Sequence, residues 1–252
     1  MTSSRQSVVG IALAVALMSA WAGLHVYSVF FHPLARGVPL ITGAMVALIC
    51  WLNVGLFIIA HDAMHGSLAP GRPQVNRFFG RLALRLYAGF AFDRLRARHF
   101  EHHRWPGSEQ DPDFSTGKPG FWRWYALFFS RYFGVREFAV LFGITVTYLA
   151  IGARLPNLLL FWALPAILSS VQLFYFGTFL PHRRGAHEFA DHHRARSNGF
   201  GWFASLLSCY HFGYHHEHHL APQVPWWGLP GERRRRASDR QQLGVQSSGG
   251  AG

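Results

Sequence analysis

Two apolar runs, residues 8–31 and 38–60, constrain this chain more than any other feature. A helix rises ~1.5 Å per residue, so about 20 residues cross a ~30 Å hydrocarbon core. In the first run His25 is the only strongly polar side chain, and Trp21, Tyr27, Phe30 and Phe31 occupy its end. That length exceeds the apolar region of a cleaved secretory signal. Residues 137–153 and 155–180 read as two further spans, with Pro165 a tolerated kink in the last. The expected fold is therefore all-α: an integral membrane protein with four transmembrane helices. Residues 76–92 are apolar but interrupted by Arg77, Arg81 and Arg85, whose spacing of four puts them on one face of a helix lying in the membrane interface. Residues 1–231 read as one membrane domain and residues 232–252, rich in Arg, Ser, Gln and Gly, as a disordered basic tail.

Charge orients the spans. Only 14% of the chain is charged, against about 25% in a soluble domain, which argues against an ordinary cytosolic enzyme. Cys50 and Cys209 are too few for a disulfide framework. The net charge is +12. With four spans both termini share one side, and that side holds every Lys and Arg except Arg36 and Arg154. The positive-inside rule then places both termini and the two large polar regions, residues 61–136 and those after His182, in the cytoplasm. The basic excess can sit against anionic headgroups and needs no nucleic acid.

All of the 16 histidines except His25 and His32 fall on that same side. His61 and His65 form an H-x-x-x-H at the end of the second span. His99, His102 and His103 form one H-x-x-H-H, and His215, His218 and His219 another. Positions i, i+3 and i+4 bring imidazoles to one helix face; His216 points elsewhere. Eight imidazoles exceed the roughly four that one zinc takes, but two ions would have about four each. Imidazole suits iron, copper, nickel and zinc. The Glu-x-x-His pairs of soluble di-iron bundles are missing, so this is a helical cap holding an all-histidine di-metal site.

These boxes resemble those of the membrane fatty-acid desaturase and hydroxylase superfamily of non-haem di-iron enzymes. Within it, HDAMHG, HFEHHRWPGSEQDPDF, GTFLPHR and HFGYHHEHHLAPQVPWW are similar to the bacterial β-carotene ketolases, over residues 61–230. The resemblance implies two iron ions, O2 as co-substrate and a ninth ligand after the last span, where His182 stands. It also implies β-carotene as a substrate taken from the bilayer and oxidised at ring carbon 4 in two successive hydroxylations, giving echinenone and then canthaxanthin. No flavin, haem or iron–sulfur motif is visible, so electrons come from outside, from a ferredoxin-type donor. The compartment implied is the bacterial inner membrane.

Around the boxes, Asp113 is the leading candidate for a carboxylate orienting a ligand histidine, ahead of Asp62, Asp111 and Glu217. His211, four residues before His215 and on the same face, is a supporting donor, a tenth ligand or a packed histidine. His187, His192 and His193 read as solvated, and Trp226 and Trp227 as interfacial anchors. A fatty-acyl desaturase or hydroxylase is the alternative within the superfamily. A metal transporter is the alternative outside it, disfavoured because the spans hold almost no ionisable residue at mid-membrane.

Overall fold

The computed structural model describes residues 2–34, 39–117, 120–185 and 188–249, and every regular element among them is a helix. Helix α1, Ser3–Val26, continues through a π-helical turn at Tyr27–Phe31. Helix α2 is Pro39–His65, and α7 runs over Leu155–His182. These three are long and apolar enough to cross a membrane. In α7, π-helical turns at Leu159–Ala163 and Tyr175–Phe179 run just ahead of Pro165 and Pro181. The wider winding absorbs prolines that lack an N–H and crowd the preceding turn.

The expected span at 137–153 takes a different form. Helix α6, Val135–Ala150, has 16 residues, about 24 Å, too short to cross alone. It meets α5, Phe121–Tyr132, at 81°, and only the bent pair together has the length and apolarity of a span. Phe133 and Gly134 leave helical geometry between them. The buried Glu137 carboxylate accepts the Gly134 N–H at 3.1 Å and starts α6 afresh. The region read as polar up to Arg136 thus conceals an aromatic helix, α5, with Phe121, Trp124, Tyr125 and Phe128 packed around Phe114 and Phe174.

Helix α2 is the axis of the fold and is buried on nearly every side from Leu52 to Met64. Against it lies α3, Pro73–Ala88, with Asn76, Gly80, Ala83, Leu84 and Tyr87 inward. Arg77, Arg81 and Arg85 share its exposed face, as their spacing requires. Arg77 and Arg81 pair with Asp93 at 3.0 and 2.6 Å. Elsewhere Val15, Leu48, Phe138, Phe142, Leu159 and Ile167 lie exposed on the apolar helices, an arrangement that costs little in lipid and much in water.

Four more α-helices follow among the described residues: α4, Phe92–Arg104; α8, Trp202–Cys209; α9, His215–Leu220; and α10, Leu229–Gly249. The last runs through the stretch from residue 232 that the composition reads as disordered. Glu232 pairs with Arg235 at 2.7 Å and Arg236 at 2.6 Å, and Arg235 with Asp239 at 2.9 Å, the i, i+3 and i, i+4 contacts that support a helix. Arg233 anchors its start by donating to the Asn198 carbonyl at 2.7 Å and lying over the Tyr214 ring.

Candidate metal centre

The helix ends bring nine imidazoles into two adjoining clusters. His61, His65, His99, His103 and His218 form one; His102, His182, His215 and His219 form the other. Within each, one ligand atom per residue lies within 4.8 Å of all the rest. The two three-histidine boxes are divided in opposite senses. On α4 the i, i+4 pair His99 and His103 enters the first cluster and His102 the second. On α9 the i, i+4 pair His215 and His219 enters the second cluster and His218 the first. His61 and His65 come from the last turn of α2, and His182 from the end of α7.

The donor atoms fit metal ions. His65 Nε2 lies 2.7 Å from His99 Nε2, His218 Nε2 lies 3.0 Å from His103 Nε2, and His215 Nε2 lies 3.0 Å from His182 Nε2. Two nitrogens bound at right angles to one ion, ~2.1 Å from it, stand roughly 3.0 Å apart. Both ring nitrogens of His61 are buried without a hydrogen-bond partner, and a neutral imidazole has one lone pair that a cation would satisfy. The second cluster is fully buried, whereas His65, His99 and His103 of the first are partly open.

Protonation favours the same reading. Burial, reinforced by neighbouring imidazoles, holds His99, His103, His215, His218 and His219 well below the usual histidine range. They are neutral, the form that binds a metal. His102 differs. Burial pushes it down, but the charge and hydrogen bond of Asp111, then the charge of Asp113, outweigh burial and raise it. Asp111 responds in the opposite direction: burial raises it, while His102 and the Gly107 and Asp113 amides pull it down more.

Of the two carboxylates, Asp111 is the one within hydrogen-bond distance of a cluster histidine. Asp111 Oδ1 lies 2.9 Å from His102 Nδ1, and Asp113 Oδ2 lies 3.8 Å from it. The turn after the box decides this, because Asp111 also accepts the Gly107 N–H at 2.7 Å and the Asp113 N–H at 2.8 Å. Asp113 instead accepts the hydroxyl of Tyr132, from α5. His182 is held by its Nδ1, 2.8 Å from the Arg194 carbonyl. Asp62 accepts the Trp226 N–H at 3.1 Å, tying the first box to the segment after the third. Neither Tyr132 nor the Arg194 carbonyl is marked by any motif.

His211 lies outside both clusters. It is buried in the left-handed turn Tyr210–His211 (φ 49° and 61°), among Trp202, Tyr214 and Trp226, which makes it a packed histidine. Trp226 packs on Tyr210 and His211. His216 turns away to Asp191, 2.7 Å from its carboxylate. His193 is only partly exposed, with its ring 5.9 Å from that of His219; His187 lies outside the described residues.

A cavity of about 90 Å³ reaches the first cluster, with His61 and His99 in its wall beside Phe57, Met64, Leu95 and Leu173. Tyr87, Phe90, Phe129 and Ser170 border both it and a second cavity of about 420 Å³. The larger one runs between α3, α5, α6 and α7 along Phe133, Phe138, Phe142, Trp162 and Ile167. Both are lined mostly by apolar side chains, and the four shared residues bring the larger cavity next to the smaller one at the histidines.

The chain is 50% identical over 229 residues to the β-carotene ketolase of Paracoccus sp. (strain PC1), covering 90% of this chain and 93% of that one. It is 50% identical over 218 residues to the β-carotene ketolase of Paracoccus sp. (strain N81106 / MBIC 01143), covering 86% and 89%. The zeaxanthin 4-ketolase of Chlamydomonas reinhardtii is 38% identical over 237 residues, 90% of this chain and 53% of that protein. The sequence pattern of the fatty acid desaturase family matches residues 36–143 and 135–246, a range that takes in all nine histidines, and the chain belongs to that family.

Proposed function

We propose that this chain is a β-carotene 4-ketolase, a non-haem di-iron oxygenase of the membrane. The observation that carries the reading is the mostly apolar cavity walled by His61 and His99, beside a larger apolar one, in a chain 50% identical to β-carotene ketolases. Iron ions held by the two histidine clusters supply the activation of O2 and the removal of hydrogen from the ring methylene.

The chain's own residues do the rest. Asp111 fixes the His102 ring through Nδ1, and the Arg194 carbonyl fixes His182 in the same way, leaving each Nε2 free for metal. Phe57, Met64, Phe90, Leu95 and Leu173 exclude water from the place where carbon 4 of the β-ionone ring is presented. That methylene is allylic, so its C–H bond is weaker than an alkane's. Two oxidations at one carbon give a geminal diol, which loses water to the ketone; the products are echinenone and then canthaxanthin. Electrons come from a ferredoxin-type donor drawn to the basic cytoplasmic face. The chain lies in the bacterial inner membrane, crossing it with α1, α2, the bent α5–α6 pair and α7, both termini in the cytoplasm.

Expression in a β-carotene-producing bacterial host, followed by pigment analysis, tests this. Keto-carotenoids and about two irons per purified chain are expected. Unchanged pigment with altered acyl-chain unsaturation would transfer the chain to the desaturases.

A further inference from the structure

Besides His61 and His99, the polar residues lining the small, otherwise apolar cavity are Asp113, Tyr132, Ser170 and Tyr87. Ser170 is engaged: its hydroxyl lies 2.6 Å from Tyr125 Oη and donates to the Ile167 carbonyl at 2.8 Å. Tyr87 reaches Ser169. Tyr132 donates to Asp113 Oδ1. The other carboxylate oxygen, Asp113 Oδ2, accepts no hydrogen bond among the described residues. It lies 3.8 Å from His102 Nδ1, whose hydrogen is already committed to Asp111. Asp113 is also held from its backbone, its N–H on Asp111 and its carbonyl receiving the Trp124 indole N–H at 2.9 Å. Asp113 therefore lines the chamber that also includes two metal-cluster histidines, fixed in place and with one carboxylate oxygen free of hydrogen bonds among the described residues.

Ketone formation needs two oxidations of one carbon. Each inserts one oxygen atom of O2 into a C–H bond and reduces the other to water, using two electrons from the external donor and two protons. The first turn leaves a secondary alcohol in a chamber built for hydrocarbon. An unpartnered hydroxyl is disfavoured there, and the alcohol would leave or rotate. Resting on the ketolase reading, we propose that Asp113, oriented by Tyr132, accepts the hydroxyl of the once-oxidised ring and holds carbon 4 in place for the second oxidation. The pair is a retention device that makes the enzyme a ketolase rather than a hydroxylase.

The test uses full-length enzyme in membranes with a ferredoxin-type donor, supplied with β-carotene or its 4-hydroxy derivative. Tyr132→Phe leaves the carboxylate but frees its orientation; Asp113→Leu removes the acceptor. In both, the ratio of 4-hydroxy to 4-keto product should rise about tenfold, the scale set by one lost hydrogen bond to a substrate hydroxyl. The KM for the 4-hydroxy substrate should rise while that for β-carotene stays, with bound iron at the wild-type level in Tyr132→Phe. An unchanged product ratio in Tyr132→Phe, or a loss of iron that lowers both activities in proportion, overturns the proposal. Wild-type enzyme that makes no ketone from β-carotene overturns the ketolase reading itself, which separates the two failures.

Discussion

His102 presents Nδ1 to Asp111 Oδ1 at 2.9 Å, from the ring edge opposite the Nε2 that meets His219 Nε2 at 3.2 Å. The carboxylate stays ionised, so His102 is the donor and its Nε2 lone pair is left for metal. Asp111→Ala should weaken metal binding about 10–100-fold, the usual cost of removing such a partner. Iron titration of the purified protein measures this, and Asp111→Asn should fall between wild type and Ala. Equal iron affinity in all three would remove Asp111 from the site.

His182 and His211 are both buried, and they should respond in opposite ways. His182 belongs to the second cluster, so His182→Ala should lose iron and more than about 100-fold of activity, beyond the cost of a supporting residue. His211 packs among aromatic rings, so His211→Phe should keep about two irons per chain and show its effect in thermal stability. Full iron retention in His182→Ala would reopen the ligand set.

Filling the larger cavity should block substrate without touching metal. Ala166 lines it between α6 and α7. Ala166→Phe should cut ketone formation roughly 100-fold through misplacement of the ring, at wild-type iron content. Normal turnover by that variant would mean the substrate enters by another route.

Gly55 lets the third box approach α2. A Cβ there would lie 2.7 Å from Tyr210 Oη and 2.8 Å from its Cζ, and Tyr210 begins the left-handed turn that leads into α9. Gly55→Ala should cost about 1–3 kcal/mol by overpacking, read as a lower melting temperature in detergent, with iron loss following the melt. An unshifted melting curve would show that the ring moves aside freely.

The bent pair carries a topological prediction. If α5 and α6 cross as one broken span, a reporter fused after Arg154 should be periplasmic and one after Gly117 cytoplasmic. A cytoplasmic signal at both would make α5–α6 a re-entrant or interfacial hairpin and leave three crossings.

The histidine boxes are legible in the sequence because i, i+3 and i+4 spacing is a property of one helix and needs no knowledge of its neighbours. Their division into five and four is not, since it depends on how α4 and α9 face each other. The choice of Asp111 over Asp113 turns on loop geometry, where two carboxylates two residues apart look equivalent until the Gly107 and Asp113 amides select one. Tyr132 carries no signal of its own because α5 lies among arginines that make the whole region look polar. The Glu232 contacts at the start of α10 are hidden for a related reason, since they depend on pairing and not on composition.

The opposite division of the two three-histidine boxes also sets an order of assembly. The first cluster takes residues from α2, α4 and α9, and the second from α4, α7 and α9. Neither is complete until His218 and His219, near the end of the chain, have been synthesised. A nascent chain ending before α9 would hold at most four histidines of the first cluster and two of the second, on segments that α9 has still to bring together. A metal that needs either complete cluster would therefore load late, and because ligand binding and folding share one free energy, its binding would lock the membrane helices to the segments outside them.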